Sequence, residues 1–190
     1  MHAVKFSNLF PNSKIYAFEC NPNTIPICRK NIENYPNIIL IEKAVNNYNG
    51  TCEFYPIDPD KTITTWKDGN PGASSLFLSN GNYNSIETYV QSKIITDCIR
   101  IDKIMTDYNI SEVDIVWMDL QGAELLALES FGTYLNKIKY IHTEVSYKPI
   151  YDGQVMFNQL HDYLTINKFT NVNSPTFNGW QEDIIYKNLK

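Results

Sequence analysis

Residues 113–124 read VDIVWMDLQGAE, and the fold turns on how they are read. An apolar run of strand length stops at Asp119, Gly122 breaks it, and a helical pattern opens at Ala123. In open α/β sheets, ligands bind outside the carboxyl ends of the strands, where strands hand over to helices. An acid at that edge has chemistry within reach. Residues 14–19, KIYAFE, repeat the arrangement and end on the carboxylate of Glu19. Two strands that each bring an acid to the carboxyl edge point to a nucleotide-type cofactor and a polar substrate.

Working outward, the chain alternates strand and helix patterns. A helix over 3–10 is closed by Pro11, and the strand over 14–19 follows. Asn21 to Thr24 suit a helix cap, and Pro26 is tolerated in the first turn of a helix running to about Asn34, with Ile25, Cys28 and Ile32 inward. Strands are expected at 38–44, 51–56, 94–101, 113–118 and 140–145, and helices at 102–108, 123–131 and 153–166. Two closing strands, 169–172 and 183–186, read as an antiparallel pair. Residues 57–83, rich in Asp, Pro, Gly, Asn and Ser, read as a long lid or binding loop. Repeated β–α alternation calls for a largely parallel sheet with helices on both faces. The expectation is one α/β domain over 1–190, with no linker or repeat to divide it.

Bulk properties narrow the function classes. A chain of 190 residues buries enough surface to need no metal or disulfide staple. The net charge of −5, with no run of basic residues, argues against nucleic acid as a partner. The four cysteines form no C-x-x-C pair and have no nearby histidine to complete a zinc pattern, so reduced thiols are expected. No signal peptide and no membrane-spanning apolar run is recognised, which together with the thiols points to a cytoplasmic protein without a membrane partner.

Several side chains are candidates for chemistry. Glu19 ends a strand and precedes a helix, where a carboxylate accepts hydrogen bonds from ribose hydroxyls or simply favours the dipole of the next helix. Asp119 has the same two readings, and Glu124 lies in a first helical turn, where acids are favoured in any case. His142 and Glu144 are two apart on one strand and face the same way, so either can serve as a general base near an opening. The alternative for His142 is a satisfied core histidine. Ser75, in the PGASSL stretch of 71–76, sits where small residues allow a close backbone approach to a ligand, or in an ordinary polar loop. Asp119 with Glu144 lacks a third ligand for Mg²⁺, and no metal site is assigned.

Together, IYAFECNP at 15–22, EKAVNNYNGTCEFY at 42–55, GASSL at 72–76, DIVWMDLQGAELLALESF at 114–131 and YIHTEVSYKPIY at 140–151 resemble the FkbM-type S-adenosylmethionine-dependent methyltransferases. The family's A-F-E-P-N appears with Cys20 in place of proline, and its D-V-E-G-A-E with Gln121 in place of the acid. The resemblance implies a class I Rossmann-like methyltransferase sheet, mostly parallel with an antiparallel C-terminal strand, and S-adenosyl-L-methionine as cofactor. It implies that Glu19, with Asn21 beside it, binds the cofactor ribose, that Ala44 and Val45 lie beside the adenine, and that Asp119 lies near the methyl group. Asp119, His142 or Glu144 would take the proton of an acceptor hydroxyl, while Ser75 and Glu124 would contact the acceptor. The acceptor class implied is a sugar or other small polar molecule. Family members open with a strand and a glycine-rich loop, whereas no glycine precedes Gly50, so an N-terminally truncated sheet is expected. A fold-retaining binding module without catalysis is the alternative.

Overall fold

The computed structural model describes residues 2–190. Its order is α1 (His2–Leu9), β1 (Ile15–Phe18), α2 (Ile25–Ile32), β2 (Ile38–Ile41), β3 (Ala44–Val45), β4 (Gly50–Phe54), β5 (Ile94–Ile99), α3 (Ile101–Asp107), β6 (Val113–Met118), α4 (Glu124–Ser130), β7 (Ile138–Ser146), α5 (Phe157–Ile166), β8 (Phe169–Asn171) and β9 (Gln181–Asn188). Short 3₁₀ turns occupy Pro71–Ala73 and Gly132–Lys137.

The α/β alternation is present, but among the described residues the strands form three sheets: β1-β2, β3-β5-β4 and β6-β7-β9-β8. Three pairings are parallel and three antiparallel, so the expected mostly parallel single sheet gives way to a mixed arrangement. The residue pattern explains part of this. The run 38–44 divides at Glu42 and Lys43, and its two halves join different sheets. Glu42 is held outward by a bidentate pair with Arg29, both contacts at 2.6 Å. Downstream, β3 pairs with β5 instead. The closing strands are antiparallel as expected, and β9 also pairs antiparallel with β7.

Alternation along β6 assigns its faces. Val116 and Met118 join a core that includes Leu128, Ile141, Leu160, Leu164 and Ile184, each of these five fully buried. Truncating any of those five to Ala should cost about 2–5 kcal/mol. Trp117 faces the other way, where His2 and Phe6 of α1 pack on its ring at centroid distances of 4.8 and 5.3 Å. Helices therefore lie on both faces of β6. The inward stripe of α2 is present only in outline, because Ile25, Cys28 and Ile32 are half-buried and the helix has no buried residue. Helix α5 starts at Phe157 rather than at 153, because Gln154 is spent on the preceding turn: its Oε1 accepts the N–H groups of Ile150 and Tyr151, both at 2.6 Å.

The expected loop over 57–83 is more structured than its composition suggests. Isolated bridges pair Tyr55 with Ser75, Ile57 with Gln91, Ile63 with Thr88 and Ser79 with Tyr151. Gln91 braces it internally, accepting from the Ser79 N–H at 2.7 Å and donating to the Tyr55 carbonyl at 3.1 Å. The four cysteines are free thiols; Cys52 and Cys98 are buried, Cys20 and Cys28 half-buried. No described helix is long and apolar enough to cross a membrane.

Candidate active site

Two strand ends carry the site candidates. At the end of β1, Glu19 hydrogen-bonds through its own N–H to the Ile41 carbonyl at 3.1 Å, which extends the β1–β2 ladder by one residue. One oxygen of its carboxylate accepts the Asn21 N–H at 2.8 Å, leaving the other to accept from a ligand. Asn21 is only 2% exposed, and its Oδ1 takes the Asn23 N–H, which turns the chain into α2. Ala44 is buried in β3 beside half-buried Val45.

The second end gathers acids from β6, α4 and β7. Asp119 follows β6 and stays exposed at the rim, with Oδ1 accepting from Gln121 Nε2 at 2.6 Å. Desolvation of its carboxyl raises the pKa, reinforced by the nearby Asp183 charge and opposed by the Gln121 bond. Glu144, half-buried on β7, accepts from Gln181 Nε2 at 2.5 Å. Burial first, then the charges of Asp119, Glu124 and Asp183, push Glu144 up to about 8. His142 shares its face. Its ring stacks on Trp117 at 3.6 Å and 7°, as their register across β6 and β7 allows, and its Nδ1 is buried without a partner. Among the described residues no group of three or more His, Cys, Asp or Glu side chains is placed to hold a metal ion.

Ser74 and Ser75 tie the two ends together. Ser74 Oγ accepts from Asn21 Nδ2 at 3.3 Å and from the Ile57 N–H at 3.0 Å. Ser75 Oγ donates to the Gln121 carbonyl at 2.7 Å and accepts the Phe77 N–H at 3.0 Å. Adjacent residues thus link the chain two positions beyond Glu19 to the chain two positions beyond Asp119. The turn after Asp119 is tightly specified. Gln121 holds a left-handed φ of 51° and Gly122 a φ of 98°. A Cβ on Gly122 would lie 2.4 Å from Gln154 Cβ, so only glycine fits.

The remaining expected contacts lie inside the protein. Ser75 is 1% exposed with its hydroxyl fully engaged, and Glu124 is 3% exposed. Glu124 Oε1 accepts the N–H groups of Leu120 at 2.9 Å and Gly122 at 3.3 Å, bracing the turn from beneath. Burial pushes Glu124 up to about 7 against those bonds. Sequence reasoning missed Tyr151, whose hydroxyl lies 2.8 Å from the Ala73 carbonyl oxygen and 3.0 Å from Gln121 Oε1. It therefore supports the side chain that contacts Asp119. Burial raises the Tyr151 pKa, and the phenol stays protonated as a donor. Nothing in the YKPIYDG context marks it except an aromatic beside a turn.

With this geometry in view, the chain belongs to the methyltransferase FkbM domain family, whose match covers residues 3–171. A similar curated protein is the 2-O-methyltransferase NoeI of Sinorhizobium fredii (strain NBRC 101917 / NGR234), 27% identical over 164 residues. That match spans 85% of this chain and 65% of NoeI, just under two-thirds of the relative's length. No solved structure matches the chain significantly.

Proposed function

We propose that this chain carries the S-adenosylmethionine-dependent methyl-transfer site of an O-methyltransferase acting on a hydroxyl of a sugar or similar small polar acceptor, on a Rossmann-like scaffold. Family membership and likeness to a 2-O-methyltransferase support the reaction class. The observation that carries the reading is the paired strand ends, each with an acid and joined through Ser74 and Ser75.

The residues fit the cofactor. Glu19 has one carboxylate oxygen committed to its own turn and one left for the ribose hydroxyls, and Asn21 holds that turn in place. Ala44 and Val45 offer an apolar strand end to the adenine. When bound, the sulfonium supplies an electrophilic methyl carbon; the protein's part is alignment and proton management.

Of the three acids and bases, Glu144 is best suited to accept the acceptor's hydroxyl proton. A pKa near the working pH balances the deprotonated fraction against proton affinity, and burial, with crowding by Asp119, Glu124 and Asp183 added to it, sets that value. Asp119, held by Gln121, orients the acceptor hydroxyl. His142 packs flat on Trp117 and shapes the wall behind Glu144. Glu124 and Ser75 are positioning residues, because their polar atoms are spent on backbone at the turn.

Thermal unfolding with S-adenosylhomocysteine tests the reading. Ligand at a hundredfold its Kd should add about 2.7 kcal/mol of stability and raise Tm. Glu19→Ala should abolish the shift. An unchanged Tm in the wild type at millimolar ligand would sink it.

A further inference from the structure

Beyond the acids lies a cavity of about 420 Å³, lined by Ser146, Tyr147, Met156, Phe157, Asn158 and Phe177. It opens where β7 ends and α5 begins. Ser146 is two residues past Glu144 on the same face of β7, about 7 Å along the strand. Ser146 is also in register with Gln181, the residue that donates to Glu144. The Ser146 edge of the cavity therefore lies close to Glu144 along β7.

Three rings shape it. Tyr147, Phe157 and Phe177 form a triangle with every centroid separation 5.3 Å and interplanar angles of 57°, 44° and 88°. Phe177 is the unusual member. Its φ of 56° is left-handed, a conformation that costs a bulky residue about 1–3 kcal/mol, and the residue is 62% exposed. The segment is held there by Glu182, which accepts the Thr176 N–H at 3.0 Å, the Thr176 hydroxyl at 2.7 Å and the Tyr147 hydroxyl at 2.9 Å. Strain maintained by this many bonds keeps an aromatic side chain at an opening, packed on Phe157 at the edge of the core.

We infer that this cavity is the subsite for a pyranose ring of the acceptor, stacked on Phe177 and Tyr147 with hydroxyls toward Ser146 and Asn158. The assignment rests on the methyltransferase reading above for its role, and on the cavity itself for its chemistry. No charged side chain lines it, which suits a neutral ligand. A sugar ring offers C–H groups on one face and hydroxyls around its edge, and the lining divides the same way. An alkyl chain would fill the aromatic part but strip water from Ser146 and Asn158 without replacing its hydrogen bonds. The volume falls within the range of small-ligand sites.

Saturation-transfer NMR with the methyl pyranosides of glucose, galactose and mannose, and with n-hexanol as the apolar arm, tests the assignment without requiring turnover. Saturation should reach the ring protons of at least one glycoside. Phe177→Ala should cut that transfer at least about threefold. Trp66→Ala, which removes an exposed ring elsewhere, should leave it unchanged. No transfer to any glycoside, equal transfer in Phe177→Ala, or displacement of the sugar by hexanol would overturn the subsite. The S-adenosylhomocysteine shift in Tm is read in parallel. If it appears while the sugars fail, the subsite falls and the methyltransferase reading stands. If sugars bind through Phe177 but the cofactor gives no shift, the subsite stands and the reaction falls.

Discussion

The two strand ends look alike in sequence and differ in physics. Each has an acid, at 19 or 119, and two positions later an amide residue, Asn21 or Gln121. At the first end, the carboxylate of Glu19 turns back on its own backbone, where it accepts the Asn21 N–H. At the second, Asp119, Glu124 and Glu144 arrive from three elements; burial raises each of them, the charge of Asp119 adds to Glu124, and the charges of Asp119 and Glu124 both add to Glu144. The first arrangement suits holding a neutral diol through a fixed charge. The second suits moving a proton. Chain position alone does not separate the two ends; the number of elements that converge on each does.

The hardest test of that contrast is Glu144→Gln. The amide cannot accept the proton, so kcat should fall by about a thousandfold, within the range for losing a general base, while cofactor affinity changes little. In the wild type, kcat should climb with pH up to about 8, where Glu144 loses its proton, and that limb should vanish in the variant. Stability should run the opposite way. Glu144 and Glu124 are raised above the ordinary carboxylate range, so between about pH 4.5 and 8 the folded chain binds protons that the unfolded chain has lost. Their contribution is complete below the unfolded pKa and is lost as pH rises through the folded values. Urea denaturation should therefore show stability falling from pH 5 to 8, less steeply in Glu144→Gln. A profile that rises over this range would break the comparison.

Gly122→Ala should strike the second end alone. A left-handed φ and a 2.4 Å approach to Gln154 together should cost about 3 kcal/mol of stability, read by denaturant titration. The first end has no glycine under such constraint, so its turn should tolerate alanine at Asn23 with a loss of about 1 kcal/mol or less.

How much of this could be read without coordinates depends on the range of the forces involved. Glu19 and Asp119 were legible, because strand termination, a turn and a helix onset are local patterns. Glu144 was legible as an acid on a core strand, an oddity that demands an opening. Glu124 and Ser75 were read as acceptor contacts, and their burial against the turn was not legible. An acid in a first helical turn and a serine after glycine look the same whether they face solvent or brace a neighbouring turn, and the bracing comes from residues 120–122 folding over them. Tyr151 was missed for a similar reason, since its partners Ala73 and Gln121 lie 78 and 30 residues away. The division into three sheets was also beyond local pattern. Periodicity reveals strands, but which edges meet is decided by packing between distant segments.

Glu19→Gln should reveal the first end's distinct role. Losing a charged acceptor costs about 1.5–3 kcal/mol, so S-adenosylhomocysteine should bind ten- to a hundredfold more weakly by calorimetry, with kcat at saturating cofactor little altered. A fall in kcat with unchanged affinity would mean that Glu19 belongs with the proton-moving acids.

The finest division uses the two adjacent serines. Ser74→Ala removes the acceptor for Asn21 Nδ2 and the Ile57 N–H, and Ser75→Ala removes the links to Gln121 and Phe77. Each loss should cost about 1–2 kcal/mol of stability, because buried polar partners are left unpaired. The functional consequences should diverge. Ser74→Ala loosens the turn at Asn21 and should raise the cofactor Kd a few-fold. Ser75→Ala loosens the turn carrying Asp119 and should lower kcat a few-fold with the cofactor Kd unchanged. If both variants shifted the same parameter, the two strand ends would be working as one unit, and the separation of cofactor grip from proton transfer would have to be abandoned.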